Sequence, residues 1–448
     1  MLKHSELFAV NVPRYTSYPT APHFHSGINE ETYRRWLAEL PLDAPLSLYL
    51  HVPFCDTLCW FCGCNTSVVN HYGPVEEYLA LLLGEIRLLA KALPGRPRVS
   101  HIHWGGGSPT ILNATDIQRL GECLRLHFDI LPKAEFAIEV DPRGLCPETV
   151  KALAKAGLTR ASIGLQDCDA QVQHAINRVQ TDAETAEAIA MLRGEGITSI
   201  NLDLIYGLPH QTLAGWRRTL DFAIGLNPDR LAVFGYAHVP QFKKHQALIP
   251  EAALPAIKAR LDMTQLAQDV ICEHGYVAIG LDHFAKPDDA MAKAARAGTL
   301  SRNFQGYTTD QGASLLGLGA SSIGSLSQGY VQNLPTVPLY RPMIEKGRLP
   351  IARGIKLSED DRIRRKVIEE LMCRLEVDLE GLAHDAGMAP SLFAASLDRL
   401  APFVAQGVVE RFGMTIKVPR KWAAALRLAA SAFDEYLPRD KAVHSLSV

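Results

Sequence analysis

Short apolar runs alternate with longer amphipathic stretches from residue 45 to residue 283. Residues 45–52 (PLSLYLHV), 99–104 (VSHIHW), 134–141 (AEFAIEVD), 160–166 (RASIGLQ), 199–207 (SINLDLIYG) and 230–238 (RLAVFGYAH) read as strands. Between them the pattern changes to helical spacing: 74–93, a helix after Asn113, one opening at Pro147, one near 181–195 and one from Thr212. A helix near 254–274 leads to a seventh candidate strand, 276–284 (YVAIGLDHF). The strands are apolar on both faces, as in a parallel sheet covered by helices. Repeated βα units predict an α/β fold, a full or partial parallel (β/α) barrel.

From about Ile355 the pattern becomes mostly helical. SEDDRIRRKVIEELMCRL opens with a serine cap and acidic residues, VVERFGMTIKV reads as a hairpin turning at Gly413, and RKWAAALRLAASAFDEYL as a last helix. The expected division is an N-terminal arm over 1–44, a barrel with an extension over 45–350, and a mostly helical C-terminal domain over 351–448.

Composition narrows the classes. The 46 Lys and Arg nearly balance the 48 Asp and Glu, so neither a nucleic-acid footprint nor a polybasic membrane anchor is indicated. The most apolar helix, YLALLLGEIRLLAKAL, is interrupted by Glu85, Arg87 and Lys91, and the N-terminal residues lack a secretory apolar run. A cytoplasmic protein is expected, with a monomer as the default. Nine cysteines form no disulfide framework in a chain of this length. Five are scattered singly, as small buried hydrophobes are.

The other four, Cys55, Cys59, Cys62 and Cys64, fall within the stretch HVPFCDTLCWFCGCN directly after the first strand. The spacing Cys55-x3-Cys59-x2-Cys62 lets three thiolates reach one small cluster at little loop-closure cost. An iron–sulfur cluster is favoured over zinc, because no second ligand pair follows. Cys64 is poorly placed to complete a tetrahedron. Strand ends in barrels collect chemistry, and here each carries polar or glycine-rich residues: WGGGSPT at 104–110, Glu139 and Asp141, Gln166 and Asp167, Asp203, Tyr236 to His238, and Asp282 with His283. The glycines of 105–107 are either a tight turn or a place where backbone approaches a small molecule closely.

These residues resemble the radical S-adenosylmethionine enzymes, and more narrowly the family of oxygen-independent coproporphyrinogen III oxidases. The resemblance runs nearly the whole length, through RYTSYPTA (14–21), LYLHVPFCDTLCWFCGCN, HWGGGSPT, IEVDPR, GLQD, NLDLIYGLP, DRLAVFGYAHVP, GLDHFAKPDD, RNFQGYTT (302–309) and LGLGASSIGS (316–325). It implies that Cys55, Cys59 and Cys62 ligate a [4Fe–4S] cluster whose open iron takes S-adenosylmethionine. It implies two S-adenosylmethionine molecules. Tyr49, Gly106 and Glu139 would serve the first; Phe61, Gly107, Ser108, Gln166, Arg178, Asp203, Ala237 and Ile323 would line the second or bridge the two. The implied reaction converts two propionates of coproporphyrinogen III to vinyl groups, with a flavodoxin or ferredoxin-type electron donor. Cys64 is then expected as an active-site thiol and His51 as a proton or substrate contact, with the N-terminal arm and the NFQGY segment covering the substrate. Trp60 stands where Tyr is usual and Ser108 where Thr is usual. A haem-delivering paralogue of the family would lack the arm and carry an aromatic residue at the position of Cys64.

Overall fold

The structure, a computed structural model, describes residues 10–437 apart from 311 and 313; the first nine residues of the expected arm and residues 438–448 of the expected C-terminal domain lie outside the described residues. After helix α1 (Glu30–Ala38) the predicted alternation appears: β1 (Leu46–Val52), α2 (Gly73–Ala92), β2 (Arg98–Gly106), α3 (Ala114–His127), β3 (Asp129–Val140), α4 (Pro147–Ala156), β4 (Arg160–Gln166), α5 (Asp182–Gly194), β5 (Ser199–Tyr206), α6 (Leu213–Gly225), β6 (Arg230–Gly235) and α7 (Ile257–Glu273). Each helix start has a local reason. Asn113 accepts a bond from the Asp116 amide, Thr212 from the Gly215 amide, and Thr181 forms a reciprocal capping box with Glu184. Each such cap contributes about 1 kcal/mol.

Strands β1 to β6 are parallel neighbours in order. The seventh expected strand is instead a hairpin, β7 (Val277–Ile279) and β8 (His283–Ala285), and β8 runs antiparallel to β6. Gly280, at φ 54°, turns the chain within what reads as one apolar run. On the other side β9 (Leu315–Leu318) adds a parallel strand beside β1. There follow β10 (Ile323–Leu326), β11 (Gly329–Asn333), α8 (Val337–Glu345) and β12 (Ile351–Lys356), whose three strands continue the sheet antiparallel. The sheet holds twelve strands in the order β12-β11-β10-β9-β1-β2-β3-β4-β5-β6-β8-β7, and its two edges do not pair. It is a partial barrel. Strand β12 lies past residue 350 and is bound to the sheet by its pairing with β11.

Helix α9 (Glu359–Arg374) begins at Ser358, which forms a capping box with Asp361. Its apolar face builds a second core with Phe393, Leu400, Ile416, Leu426 and Phe433. The hairpin of residues 410–417 turns at Gly413 as expected, and residues 376–378 add a third strand. The last helical stretch is broken, a 3-10 segment at Arg420–Ala425 followed by a short α-helix at Leu426–Ser431. The arm joins this core through Tyr15 and Tyr18, and the Tyr15 hydroxyl donates to Asp434 at 3.0 Å.

Candidate active site

The cysteine loop leaves β1 and is pinned from several sides. Residues 54–55 pair with 67–68, and the Trp60 amide donates to the Ile176 carbonyl at 2.8 Å. Three donors from one distant segment then hold its carbonyls: Gln246 on Phe61 (3.0 Å), His245 on Cys62 (2.7 Å) and Lys243 on Cys64 (2.8 Å). Trp60 and Phe61 pack against Val172, Ile176, Leu208, Tyr236 and Ile249. A loop so clamped presents its thiols in fixed directions.

Cys55, Cys59, Cys62 and Cys64 all line one open cavity at the C-terminal ends of the strands. Among the described residues no three His, Cys, Asp or Glu side chains are gathered as ligands of a single ion; Cys62 and Cys64 are in contact, and the four thiols share a common wall. Two guanidiniums, of Arg143 and Arg178, each donate to the Cys59 sulfur at 3.6 Å. Both also hold Asp141, Arg143 at 2.7 Å and Arg178 at 3.2 Å. Burial alone would raise the Asp141 carboxyl, but the two arginines outweigh it and keep it below its ordinary value. Cys62 is pulled down to about 7, because the Cys64 thiol and then its backbone N–H point at the Cys62 sulfur. The donors aimed at Cys62 favour its thiolate, the form that binds iron, whereas burial pushes the Cys55 thiol up to about 11.

The same cavity is lined by Phe61, Gly107, Ser108, Glu139, Gln166, Arg178 and Asp203. Gln166 sits at φ 66° at the end of β4, and its Oε1 is buried with no partner among the described residues. Arg178 Nε is likewise buried and without a hydrogen-bond partner among them. Buried polar atoms left unmet are costly. An acceptor and a donor aimed into a cavity fit a ligand rich in amine, carboxylate and hydroxyl groups. Asp203 accepts from Ser162 at 3.0 Å and from Asn201 at 2.8 Å, and burial pushes it up to about 6. Glu139 accepts from the Gly106 amide at 3.1 Å.

Tyr49, His51 and Gly106 stand behind this wall. The Tyr49 hydroxyl lies 3.0 Å from His51 Nδ1, and His51 Nε2 lies 2.9 Å from the Asn65 carbonyl. A carbonyl can only accept, so the Nε2 carries the proton and Tyr49 donates to Nδ1. Burial lowers the His51 pKa and so favours the neutral ring, in which Nδ1 accepts from Tyr49 and Nε2 donates to Asn65, tying strand to loop. Ala237 follows the end of β6 and Ile323 opens β10; neither lines the cysteine cavity. The three glycines have a protein-side reason. A Cβ on Gly105 would lie 2.7 Å from Glu139 Oε1, on Gly106 2.7 Å from the His51 ring, and on Gly107 2.4 Å from the Phe54 carbonyl. They let strand β2 press against the cysteine loop and its supports.

The matches to known proteins agree with this geometry. Residues 49–223 match the model of the radical SAM superfamily. An oxygen-independent coproporphyrinogen III oxidase of Bradyrhizobium diazoefficiens is 48% identical over 437 residues, covering 98% of this chain and 97% of its own length. That of Paracoccus denitrificans is 42% identical, with 97% and 96% covered. The chain belongs to the oxygen-independent coproporphyrinogen III oxidases. The solved structure of coproporphyrinogen III oxidase from Escherichia coli, a radical SAM enzyme, superposes with a TM-score of 0.90 at 41% identity, covering 95% of this chain and 98% of that one. Superfamily membership implies a [4Fe–4S] cluster and S-adenosylmethionine, and the thiol wall, the guanidiniums on Cys59 and the unmet Gln166 and Arg178 atoms fit both.

Arg143, Ser162 and the clamp of Lys243, His245 and Gln246 are members of the site that the sequence did not single out as such. IEVDPR at a strand end is a usable signal for Arg143. The clamp lies about 180 residues from the loop it holds. No local pattern marks it.

Proposed function

We propose that this protein oxidatively decarboxylates two propionate side chains of coproporphyrinogen III to vinyl groups, giving protoporphyrinogen IX, with two S-adenosylmethionine molecules bound. When bound, the cluster supplies the electron that cleaves S-adenosylmethionine to methionine and a 5′-deoxyadenosyl radical, the species that takes a hydrogen from the propionate. In this reading Cys55, Cys59 and Cys62 hold the cluster. Tyr49, Gly106 and Glu139 serve the first S-adenosylmethionine, while Phe61, Gly107, Ser108, Gln166, Arg178, Asp203, Ala237 and Ile323 serve the second or bridge the two. Arg178 and Gln166 offer a donor and an acceptor to the amino-acid end, and Asp203 accepts from hydroxyls. Cys64, exposed at the cavity wall, is the active-site thiol. His51 orients Tyr49 and the loop rather than carrying charge, since its ring is neutral and both nitrogens are engaged.

The reading extends to the whole chain. Of the described residues, 10–44 act as an arm over the site, 45–356 as the barrel with its substrate extension, because β12 belongs to the sheet, and those from Ser358 onward as the C-terminal domain. The protein works as a cytoplasmic monomer, with a flavodoxin or ferredoxin-type donor. Among the described residues no helix is long and apolar enough to cross a membrane.

The observation that supports the reading most is the pair of unmet buried atoms, Gln166 Oε1 and Arg178 Nε, beside the thiol wall. Equilibrium dialysis of the reconstituted protein with labelled S-adenosylmethionine tests it. Two molecules per chain are expected; a single one would remove the second site. Cys64→Ser retaining full turnover with intact cluster iron would remove the thiol's role.

A further inference from the structure

Phe234 forms a wall of the cysteine cavity and also of a second cavity, of ≈ 980 Å³ including its part open to solvent. Four guanidiniums line that second cavity, Arg14, Arg260, Arg302 and Arg427, against the single carboxylate of Asp282. Asp282 is itself engaged, accepting from His283 Nδ1 at 2.7 Å. Each guanidinium donates to a backbone carbonyl: Arg14 to Gly235 (2.9 Å), Arg260 to Tyr236 (2.7 Å), Arg302 to Tyr15 (3.3 Å) and Arg427 to Pro13 (3.0 Å). Carbonyls satisfy N–H groups without adding a full negative charge, and among the described residues neither Arg14 nor Arg302 forms an ion pair. Arg302 Nη1 is buried and has no hydrogen-bond partner among the described residues. Cations gathered in a half-closed cavity with a spare buried N–H fit an anion, and a planar fork fits a carboxylate.

We propose that this cavity binds carboxylates of the tetrapyrrole that are not under reaction, with Arg14 and Arg302 in direct contact. The proposal rests on the decarboxylase reading and deepens it. Coproporphyrinogen III carries more propionates than the two converted, and the others must be held while one is presented past Phe234 to the radical site. Anchoring by position would then decide which propionate reacts. The arm takes part, because Arg302 and Arg427 hold the carbonyls of residues 13–15 and so place Arg14 over the cavity.

The test uses the reconstituted enzyme and coproporphyrin III, the oxidised and unreactive ring, titrated by fluorescence. Arg14→Gln and Arg302→Gln are each expected to weaken its binding roughly tenfold or more, the loss of one charge-assisted contact. Iron content and S-adenosylmethionine affinity should stay at the wild-type values. Because Arg302 also holds the arm, the wild-type protein is titrated with the tetraamide of coproporphyrin as well. The acid is expected to bind at least about tenfold tighter than the amide. Equal affinity for acid and amide, or wild-type affinity and KM in both variants, overturns the site. Weakened binding in the variants of a protein that never converts coproporphyrinogen III would keep the site and sink the reaction. Turnover with unchanged binding in both variants would do the reverse.

Discussion

Two buried polar networks flank strand β1, and they differ in one respect. Behind the sheet, Glu85 of α2 is 1% exposed and fully met. It accepts from the Gly319 amide and the Tyr340 hydroxyl, both at 2.6 Å, and from Asn333 Nδ2 at 2.6 Å. Those bonds tie α2 to β11, α8 and the turn after β9. At the strand ends, Arg143 and Arg178 pair with Asp141, Asp203 is held by Ser162 and Asn201, and Gln166 Oε1 and Arg178 Nε are left over. A closed network specifies a fold; an open one facing a cavity waits for a ligand. The comparison separates two kinds of buried charge that composition alone cannot.

The difference can be broken from either side. The largest effects belong to the open network. Cys59→Ser removes one of the proposed cluster ligands, and Gly107→Ala drives a methyl into the Phe54 carbonyl and Thr66 of the cysteine loop. Both should abolish deoxyadenosine formation and lower bound iron, measured by chromatography and iron analysis, while circular dichroism stays near wild type.

Next comes the closed network's pH signature. Burial raises Glu85 in the folded state from 4.5 to about 7. The folded protein therefore holds this proton more tightly than the unfolded chain. The contribution of Glu85 to stability is full below 4.5, falls as pH rises from 4.5 to 7, and levels above 7, a loss on the order of 3 kcal/mol from this group. Denaturation of the protein at fixed pH values should show that slope, and Glu85→Gln should flatten it without changing S-adenosylmethionine affinity.

A smaller effect sharpens the contrast. Arg178→Gln should weaken S-adenosylmethionine binding about tenfold by calorimetry. Wild-type affinity in that variant would place Arg178 in the structural class with Glu85. The smallest expected change is Ser108→Thr, which keeps the hydroxyl bonded to Thr110 and the backbone N–H on the Phe54 carbonyl. Less than a twofold change in affinity is expected.

The parallel half of the sheet was legible because strand period, caps and turns agree there: Asn113, Thr181 and Thr212 each start the helix their position suggests. The antiparallel half was not. The 276–284 run is apolar up to Asp282 and reads as one strand, so only the turn at Gly280 splits it, and β9 to β12 are short strands in a stretch read as motif rather than structure. In the site, the thiols and strand-end residues were visible as local patterns; the thiols, Gly107, Ser108, Glu139, Asp141, Gln166 and Asp203 line one cavity, whereas Tyr236, Asp282 and His283 line the neighbouring one. Tyr49, His51, Ala237 and Ile323 do not line that cavity, so their place in the site rests on the resemblance and not on a local pattern. Arg143 and the Lys243–Gln246 clamp were invisible because their importance comes from long-range contacts, which spacing does not encode.

The most direct test of the account is anaerobic turnover. The protein is reconstituted with iron and sulfide, reduced, and given S-adenosylmethionine with coproporphyrinogen III. Deoxyadenosine and protoporphyrinogen IX forming together is the predicted result. Deoxyadenosine with no vinyl product would contradict the assigned substrate, and neither product from a protein with full cluster iron would contradict the reaction itself.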